Sequence, residues 1–264
     1  MTSPTPKIVP ETTMSAARRD LERLRLDWTR LGAEDPLWAV LIRPGTRHGG
    51  WDPDAFLATG RDEVGMALAR LEQLGALPRL GRVLDFGCGA GRATQALADR
   101  AGEVIGVDVS EPMLAAARRL DRDGRCTFVL NQSADLAGFA DASFDLVYSS
   151  LVLQHLPPAL ARSYLAELTR VLRPGGAMAV QVATRPTLSL KGALFRFAPQ
   201  PLLRFGQRRI LGYPAPMRMH GISAADFAET IARYDGRLLD SVEDTTYGGH
   251  WIYHRHFAVR QAEQ

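Results

Sequence analysis

The sequence predicts an α/β fold with an open sheet, and three observations support this class. Residues 83–86 form an apolar, strand-like segment that leads through the glycine run at 87–91 into a helix-forming stretch at 92–98. A second apolar segment, 104–108, ends in a carboxylate about twenty residues past the glycines. Further short apolar segments alternate with helical patterns along the chain. A strand, a glycine turn and a helix in this order are typical of a nucleotide-cofactor site.

The remaining strands are predicted from short apolar runs between turn signals. They are expected at residues 126–130, 144–150, 177–182, 237–242 and 250–259. Ser110 is expected to cap the helix that follows the second strand, with Pro112 in its first turn.

Upstream of this region the sequence predicts a helical extension. Residues 1–14, which are rich in Pro, Thr and Ser and lack the apolar core of a signal peptide, are expected to be a disordered tail. The extension is expected over 15–75, because Leu21, Leu24 and Trp28 recur at three- and four-residue steps. The main domain is then expected at 76–264.

The glycine spacing indicates which nucleotide the turn binds. Its pattern is G-x-G-x-G, with Arg92 where the dinucleotide fingerprint places its third small residue. Asp85 lies two positions before the first glycine; a carboxylate there repels a pyrophosphate but accepts a hydrogen bond from a cationic amine. Together with the strands that follow, this segment resembles motif I of the class I S-adenosylmethionine (SAM) methyltransferases. The alternative is a structural or NAD-type domain of the same layout.

The resemblance implies a Rossmann-like, mostly parallel seven-stranded sheet with an antiparallel last strand. It implies that Asp108 binds ribose hydroxyls, that Met113 packs on the adenine and that Asp135 accepts from the adenine amino group. Arg61 is expected to pair with the SAM carboxylate. The full set of expected cofactor-binding residues is Asp85, Gly87, Gly89, Arg61, Asp108, Val109, Met113, Ala134, Asp135 and Ser149. The cofactor is SAM, and the product is S-adenosylhomocysteine.

Charge is distributed unevenly along the chain. The net charge is +3, but the segment from Arg185 to His220 holds seven cations and no acid. With its many Leu and Phe residues, this segment is expected to form a helical cap inserted at 185–222, after strand five. A basic, apolar cap suits an anionic or amphipathic substrate or a membrane surface, and a plain helical cover with a solvated basic face is the alternative. No nucleic-acid-binding module is recognisable, so nucleic acid is a weaker expectation.

His155 is the candidate catalytic base, because it follows strand four at the sheet edge where ligands bind. A structural role for this histidine is the alternative. Gln154, His250 and Tyr253 are expected to contact the acceptor. His250, His254 and His256 share one strand face and raise the possibility of a divalent metal such as Mg²⁺, although no ligand motif accompanies them.

The expected function is transfer of a methyl group from SAM to a small molecule or glycan, with O-methylation of a sugar hydroxyl as the first hypothesis. Methylation at carbon or oxygen of a quinone-like or lipid acceptor is the second, and a non-catalytic SAM-binding scaffold or sensor is the third. Only two cysteines are present, Cys88 and Cys126, which favours a reducing, cytoplasmic setting.

Overall fold

The computed structural model describes residues 11–189, 197–247 and 250–262. Its helices are α1 (Glu11–Glu34), α2 (Pro36–Val40), α3 (Pro53–Gln73), α4 (Arg92–Ala98), α5 (Glu111–Leu120), α6 (Pro158–Val171), α7 (Gln200–Phe205) and α8 (Ala224–Ala232). Its strands are β1 (Arg82–Phe86), β2 (Glu103–Asp108), β3 (Cys126–Leu130), β4 (Phe144–Ser149), β5 (Leu172–Pro186), β6 (Gly236–Asp244) and β7 (Trp251–Arg260).

The seven strands form one sheet in the order β3-β2-β1-β4-β5-β7-β6. The first five pair in parallel, while β7 runs antiparallel between β5 and β6. This topology confirms the predicted fold class. Strand order reverses at β1 and β4, and in open sheets of this kind the ligand crevice lies at the carboxyl edge of such a switch point.

Alternating side chains of the buried strands pack against two helical layers. On one face, Val83 and Leu146 contact the apolar sides of α3 and α4. On the other face, Leu84 and Val147 contact α6 and α8, with Leu21 of α1 in the same cluster. Because successive side chains point to opposite faces of a strand, apolar residues cover both faces of the sheet.

The N-terminal extension differs from the expectation in where its first helix begins. α1 starts at Glu11, so residues 11–14 belong to the helix, whereas they were predicted to be tail; residues 1–10 lie outside the described part. Proline is a helix breaker in the interior, and the last proline before this helix is Pro10, which marks where the helical pattern can start.

The cap also differs in detail from the prediction. β5 continues to Pro186, so the first two residues of the predicted cap belong to a strand. Beyond it lie the short helix α7 and one π-helical turn, Gly206–Ile210, followed by irregular chain. Residues 190–196 of the predicted cap, including Lys191 and Arg196, lie outside the described residues.

A buried charge cluster fastens the extension to the sheet. Its members are Glu63, Arg92, Tyr148, Asp244, Tyr247 and Arg255. Glu63 of α3 forms ion pairs with Arg92 at 2.6 Å and with Arg255 at 2.8 Å. It also accepts a hydrogen bond from the Tyr148 hydroxyl at 2.5 Å and another from Tyr247. Burial alone would raise the pKa of Glu63, but both guanidinium groups and these hydrogen bonds hold it well below its usual range.

The cluster lies where α3 and α4 approach each other closely. A Cβ on Gly60 would collide with the backbone carbonyl of Arg92. Glycine at this position therefore lets α3 lie directly on the helix that begins at the glycine turn. The cluster joins α3 to α4, β4, β6 and β7, so the position of the glycine turn depends on α3.

We expect Glu63→Gln to lower the free energy of unfolding by about 3–5 kcal/mol, because it removes the anion between two buried guanidinium groups. Urea unfolding followed by circular dichroism measures the change. Asp62→Asn is the matched control, since Asp62 is the exposed neighbour on the same helix. A Glu63 variant as stable as that control would contradict this role for the cluster.

Candidate active site

A partly open cavity lies at the carboxyl edge of β1, β2 and β4. Ligands of open α/β sheets bind at this edge. The wall residues from the strands and the loops after them are Phe86, Gly87, Gly89, Val107, Asp108, Val109, Met113, Asn131, Ser150, Leu151, Val152, His155, Leu156 and Tyr164. Leu21, Leu24, Trp28 and Val40 complete the wall from the extension.

The glycine turn forms one side of this cavity because only glycine fits two of its positions. Gly87 has φ 73° and Gly89 has φ 53°, both in the left-handed region. A Cβ on Gly87 would collide with Val152, and one on Gly89 would lie 2.6 Å from Val40. The missing side chains let the backbone line the cavity directly.

Asp108 lines the cavity at the end of β2, as the spacing predicts. Its carboxylate accepts hydrogen bonds from the backbone N–H groups of Gly89 and Ser110, each at 2.9 Å. Burial raises the pKa of Asp108 to about 6 despite these bonds. Since each carboxylate oxygen has two lone pairs, both oxygens retain capacity for hydroxyl donors of a ligand.

Met113 also lines the cavity, at the start of α5. Its backbone N–H donates to the Ser110 side chain, which confirms the predicted cap of this helix. The Ser110 hydroxyl in turn donates to the backbone carbonyl of Trp28 at 3.1 Å. One serine thus fixes the start of α5 and ties α1 to it.

Asp85 is not in the cavity wall but lies beneath the turn. It is 2% exposed, and it accepts a hydrogen bond from the Thr94 hydroxyl at 2.6 Å. Burial raises its pKa to about 7. The expected direct contact with a ligand amine is therefore not built into this arrangement; Asp85 instead connects β1 to the helix after the glycine turn.

His155 lies in the cavity wall, on a single 3₁₀ turn, Leu153–His155. Its Nδ1 is 2.7 Å from the backbone carbonyl oxygen of Arg218, in the cap. A carbonyl can only accept, so Nδ1 carries the proton and Nε2 is the basic nitrogen. Burial lowers the pKa of His155 to about 4, which keeps the imidazole neutral at physiological pH.

Helix α1 closes the cavity with apolar side chains. Leu21, Leu24 and Trp28 face it at the helical spacing visible in the sequence. The Trp28 ring contacts His155 edge to face, with 5.0 Å between ring centroids. Asp27 pairs with Arg218 at 3.3 Å, which links this helix to the cap. The extension therefore roofs the site.

Leu151 holds an unusual backbone conformation in the wall after β4. Its φ of 62° is left-handed, which is costly for a residue with a branched side chain. Its N–H donates to the Oε1 of the buried Gln181 at 2.9 Å, and this bond stabilises the turn. Gln181 was not predicted as a site residue; nothing in its local sequence distinguishes it from an ordinary strand position.

The structure places a different polar residue than predicted at the end of β3. Asn131 lines the cavity, and its side-chain amide donates to the backbone carbonyl of Asp135 at 2.9 Å. Asp135 itself is exposed and lies with Ala134 in a separate groove between α1 and α6. The chain leaves the sheet directly after β3, so only the first loop residue faces the cavity. That groove shares Leu21 with the cavity, and the expected contacts of Asp135 and Ala134 with the adenine stay predictions.

Five other predicted residues do not reach the cavity wall. Arg61 is exposed on α3, because the inward face of that helix carries Glu63 and its apolar neighbours. Ser149 is buried and donates to the Phe86 carbonyl at 2.9 Å, since it lies within β4 and not beyond its end. Gln154 is buried behind the wall. His250 and Tyr253 lie at the start of β7, across the sheet from the glycine turn.

The histidines of β7 lie close together without a third ligand. His254 and His256 are stacked at 6.3 Å between centroids, and His254 contacts the Thr184 hydroxyl at 3.2 Å. In the part of the chain that the structure describes, no three His, Cys, Asp or Glu side chains are grouped as metal ligands. Metal dependence stays an open expectation.

Comparison with known proteins finds methyltransferases among those similar to this chain. Residues 84–180 match a family model described as a methyltransferase domain. A demethylmenaquinone methyltransferase from Beutenbergia cavernae is 38% identical over 147 residues, which are 56% of this chain and 58% of that protein. A trans-aconitate 2-methyltransferase from Variovorax paradoxus is 35% identical, over 56% of this chain and 57% of its own. A ubiquinone biosynthesis O-methyltransferase from Methylococcus capsulatus is 34% identical, over 56% and 60%. The chain thus covers less than two thirds of each of these relatives.

Solved structures show the same fold over a larger part of the chain. A magnesium protoporphyrin IX methyltransferase from Synechocystis, solved with bound SAM, superposes with a TM-score of 0.57 at 19% identity, over 97% of this chain and 100% of that one. A SAM-dependent methyltransferase from Mesorhizobium loti gives a TM-score of 0.53 at 22% identity, over 73% and 98%.

The raised pKa of Asp85 predicts a pH-dependent stability. Its pKa of about 7 in the folded chain exceeds the ordinary value near 4, so its contribution to stability is fully present at low pH and is lost as the pH rises through 7. We expect the difference in the free energy of unfolding between Asp85→Asn and the wild type to shift in favour of the variant by about 2 kcal/mol when the pH is raised from 5 to 8. Urea unfolding at both pH values measures this; the exposed-site control Asp123→Asn should show no such gain. A difference independent of pH would contradict the assignment.

Proposed function

We propose that this chain, whose residues 84–180 form a methyltransferase domain of the class I SAM-dependent family, methylates an apolar small molecule. The observation that carries the proposal is the cavity whose wall combines two groups of residues, a first group of the glycine turn, Asp108 and Met113 and a second group of His155 with apolar side chains. A ligand in this cavity would be held between a polar nucleotide-binding edge and an apolar roof.

The residues of the first group, around the glycine turn, fit SAM. Backbone without side chains at Gly87 and Gly89 accommodates the methionine part, Asp108 accepts from the ribose hydroxyls, and Met113 packs on the adenine. SAM supplies a methyl group already activated on a sulfonium, so the protein needs mainly to hold the acceptor in line with it. Asn131, at the neighbouring strand end, replaces Asp135 as the side chain available to the adenine edge.

The residues of the second group, around His155, favour an apolar, ring-shaped acceptor. Leu21, Leu24, Trp28, Leu151 and Leu156 supply this surface. No Lys or Arg side chain is among the described residues that line the cavity, so a carboxylate acceptor would lack a counterion. A sugar would need several polar partners, and the predicted ones, His250 and Tyr253, lie elsewhere. Two of the relatives that the chain resembles are named for quinone biosynthesis.

His155 is positioned to act as a base toward an acceptor hydroxyl. The Arg218 carbonyl fixes its tautomer and leaves Nε2 unprotonated. Because the pKa of His155 is low, Nε2 is a weak base. At neutral pH it carries no proton and is therefore available to accept one. We therefore propose O-methylation, with His155 accepting the hydroxyl proton as the oxygen–methyl bond forms, the carbon–sulfur bond of SAM breaks and S-adenosylhomocysteine leaves.

Asp108→Asn is expected to weaken SAM binding by about 10- to 100-fold, since the amide replaces acceptor lone pairs with donors that face the N–H of Gly89. Isothermal titration calorimetry with SAM and S-adenosylhomocysteine measures the affinity. Asp135→Asn is the control, because Asp135 is exposed outside the cavity; its affinity should stay within about twofold of the wild type. The reverse ranking of the two variants would overturn the assignment of the ribose site.

His155→Ala is expected to lower kcat by about 10²–10⁴-fold on a phenolic acceptor, with SAM affinity unchanged. Radiolabelled methyl transfer to a panel of quinol and phenol acceptors measures the rate, and calorimetry measures SAM binding in the same preparation. A wild-type chain that binds SAM but methylates none of the panel, sugars included, would point instead to the SAM-binding scaffold. Full activity of the variant would exclude His155 as the base.

A further inference from the structure

The cap presents an apolar outer face to solvent. We use the name cap helix for the continuous helical run 200–210, which comprises α7 and the π-helical turn. Leu202 and Phe205 are 57% and 59% exposed on it, and Ile210 at its end is 77% exposed. Since large apolar side chains are rarely grouped on a solvated surface, this face is unusual for a helix that only covers the domain.

The cap helix is held in this orientation by its inner side. The Gln207 side chain donates to the backbone carbonyl of Met217 and accepts from the N–H of the same residue, both at 3.0 Å. Leu203 and Gln207 are partly buried, whereas Leu202, Phe205 and Arg209, spaced three and four residues apart, are exposed. The helical period therefore separates a fixed polar side from a free apolar and basic one.

Positive charge accompanies the exposed apolar side chains. Arg208 and Arg209 are both exposed at the end of the cap helix, and Arg204 lies one turn earlier. The sequence from 185 to 220 contains no acidic residue that could neutralise them locally. Leu and Phe side chains interleaved with Arg suit a surface that is negatively charged outside and apolar beneath.

The cap helix is connected to the cavity through a short path. Met217, which binds Gln207, precedes Arg218, whose carbonyl holds His155 and whose guanidinium pairs with Asp27 of α1. The loop that bears Arg47 is tied to the other end of the cap helix, because Arg47 donates to the carbonyls of Leu211 and Gly212. The cap helix does not line the cavity, but these contacts link it to His155 in the cavity wall and to α1.

We propose that the outer face of the cap helix binds the surface of an anionic lipid bilayer. Leu202, Phe205 and Ile210 enter the boundary between headgroups and acyl chains, and Arg208 and Arg209 contact lipid phosphates. No helix in the described ranges is long and apolar enough to cross a bilayer, so this contact is at the surface. Only the reason for the contact, access to an apolar acceptor dissolved in the membrane, rests on the proposed function.

Sedimentation of the full chain with vesicles tests the proposal. Vesicles of equal parts phosphatidylglycerol and phosphatidylcholine are compared with vesicles of phosphatidylcholine alone. We expect binding to the anionic vesicles to be at least about tenfold stronger and to weaken with added salt. Arg208→Gln with Arg209→Gln should reduce this binding by about tenfold or more, and Leu202→Ser with Phe205→Ser should reduce it by a similar factor.

Matched variants on another surface provide the control. Met66, 58% exposed on α3, is changed to Ser, and the exposed Arg119 is changed to Gln; both proteins should sediment as the wild type does. Calorimetry with SAM on every variant shows that the fold is intact without any need for methyl transfer.

A wild-type chain that stays in the supernatant, equal binding to neutral vesicles, or cap variants that sediment like the controls would overturn the proposal. Binding to a random DNA duplex but to neither vesicle would assign the face to nucleic acid instead.

Discussion

The ion pairs of Glu63 with Arg92 and Arg255 are the constraint on which the other parts of the site depend. They join α3, the helix after the glycine turn and the antiparallel strand β7 at one buried point. A buried carboxylate costs several kcal/mol in desolvation, and this cost is recovered only when every partner is in place. The cluster therefore favours a single arrangement of extension and sheet. Because the glycine turn begins the helix that bears Arg92, the geometry of the cavity edge is fixed by the same contacts.

The cavity combines two environments that suit the two halves of a methyl transfer. Its nucleotide side is built from backbone and one carboxylate, groups that are fixed by the strands beneath them. The side proposed for the acceptor is built from α1 and the loop after β4, and loops vary among homologues more readily than the elements they connect. Asp108 and His155 both line the cavity, and both have pKa values shifted by burial. The low polarity of a buried environment strengthens hydrogen bonds made within it.

The backbone of the cap connects the exposed cap helix to His155 in the cavity wall. The Arg218 carbonyl that orients His155 belongs to the same segment that anchors the cap helix through Met217. A change in the position of the cap would therefore reach the imidazole through a single hydrogen bond. This arrangement links the exposed apolar helix to the buried His155, although the two lie far apart in the sequence.

Local sequence was sufficient for the elements and for half of the site. Short apolar runs predicted all seven strands, and the Ser110 cap was visible from its position. The strand-end rule indicated Asp108 and His155, and the family resemblance indicated Met113; all three line the cavity. Tertiary structure alone decided the rest. Arg61 and Glu63 are two residues apart on α3, and only packing against α4 determines which of them points inward. Asp135 was placed outside the cavity because the chain turns away after Asn131, and Gln181 supports Leu151 across the sheet. Strand and helix patterns depend on neighbours in sequence, whereas the direction of a loop and the partner of a buried charge depend on contacts between residues far apart in the chain.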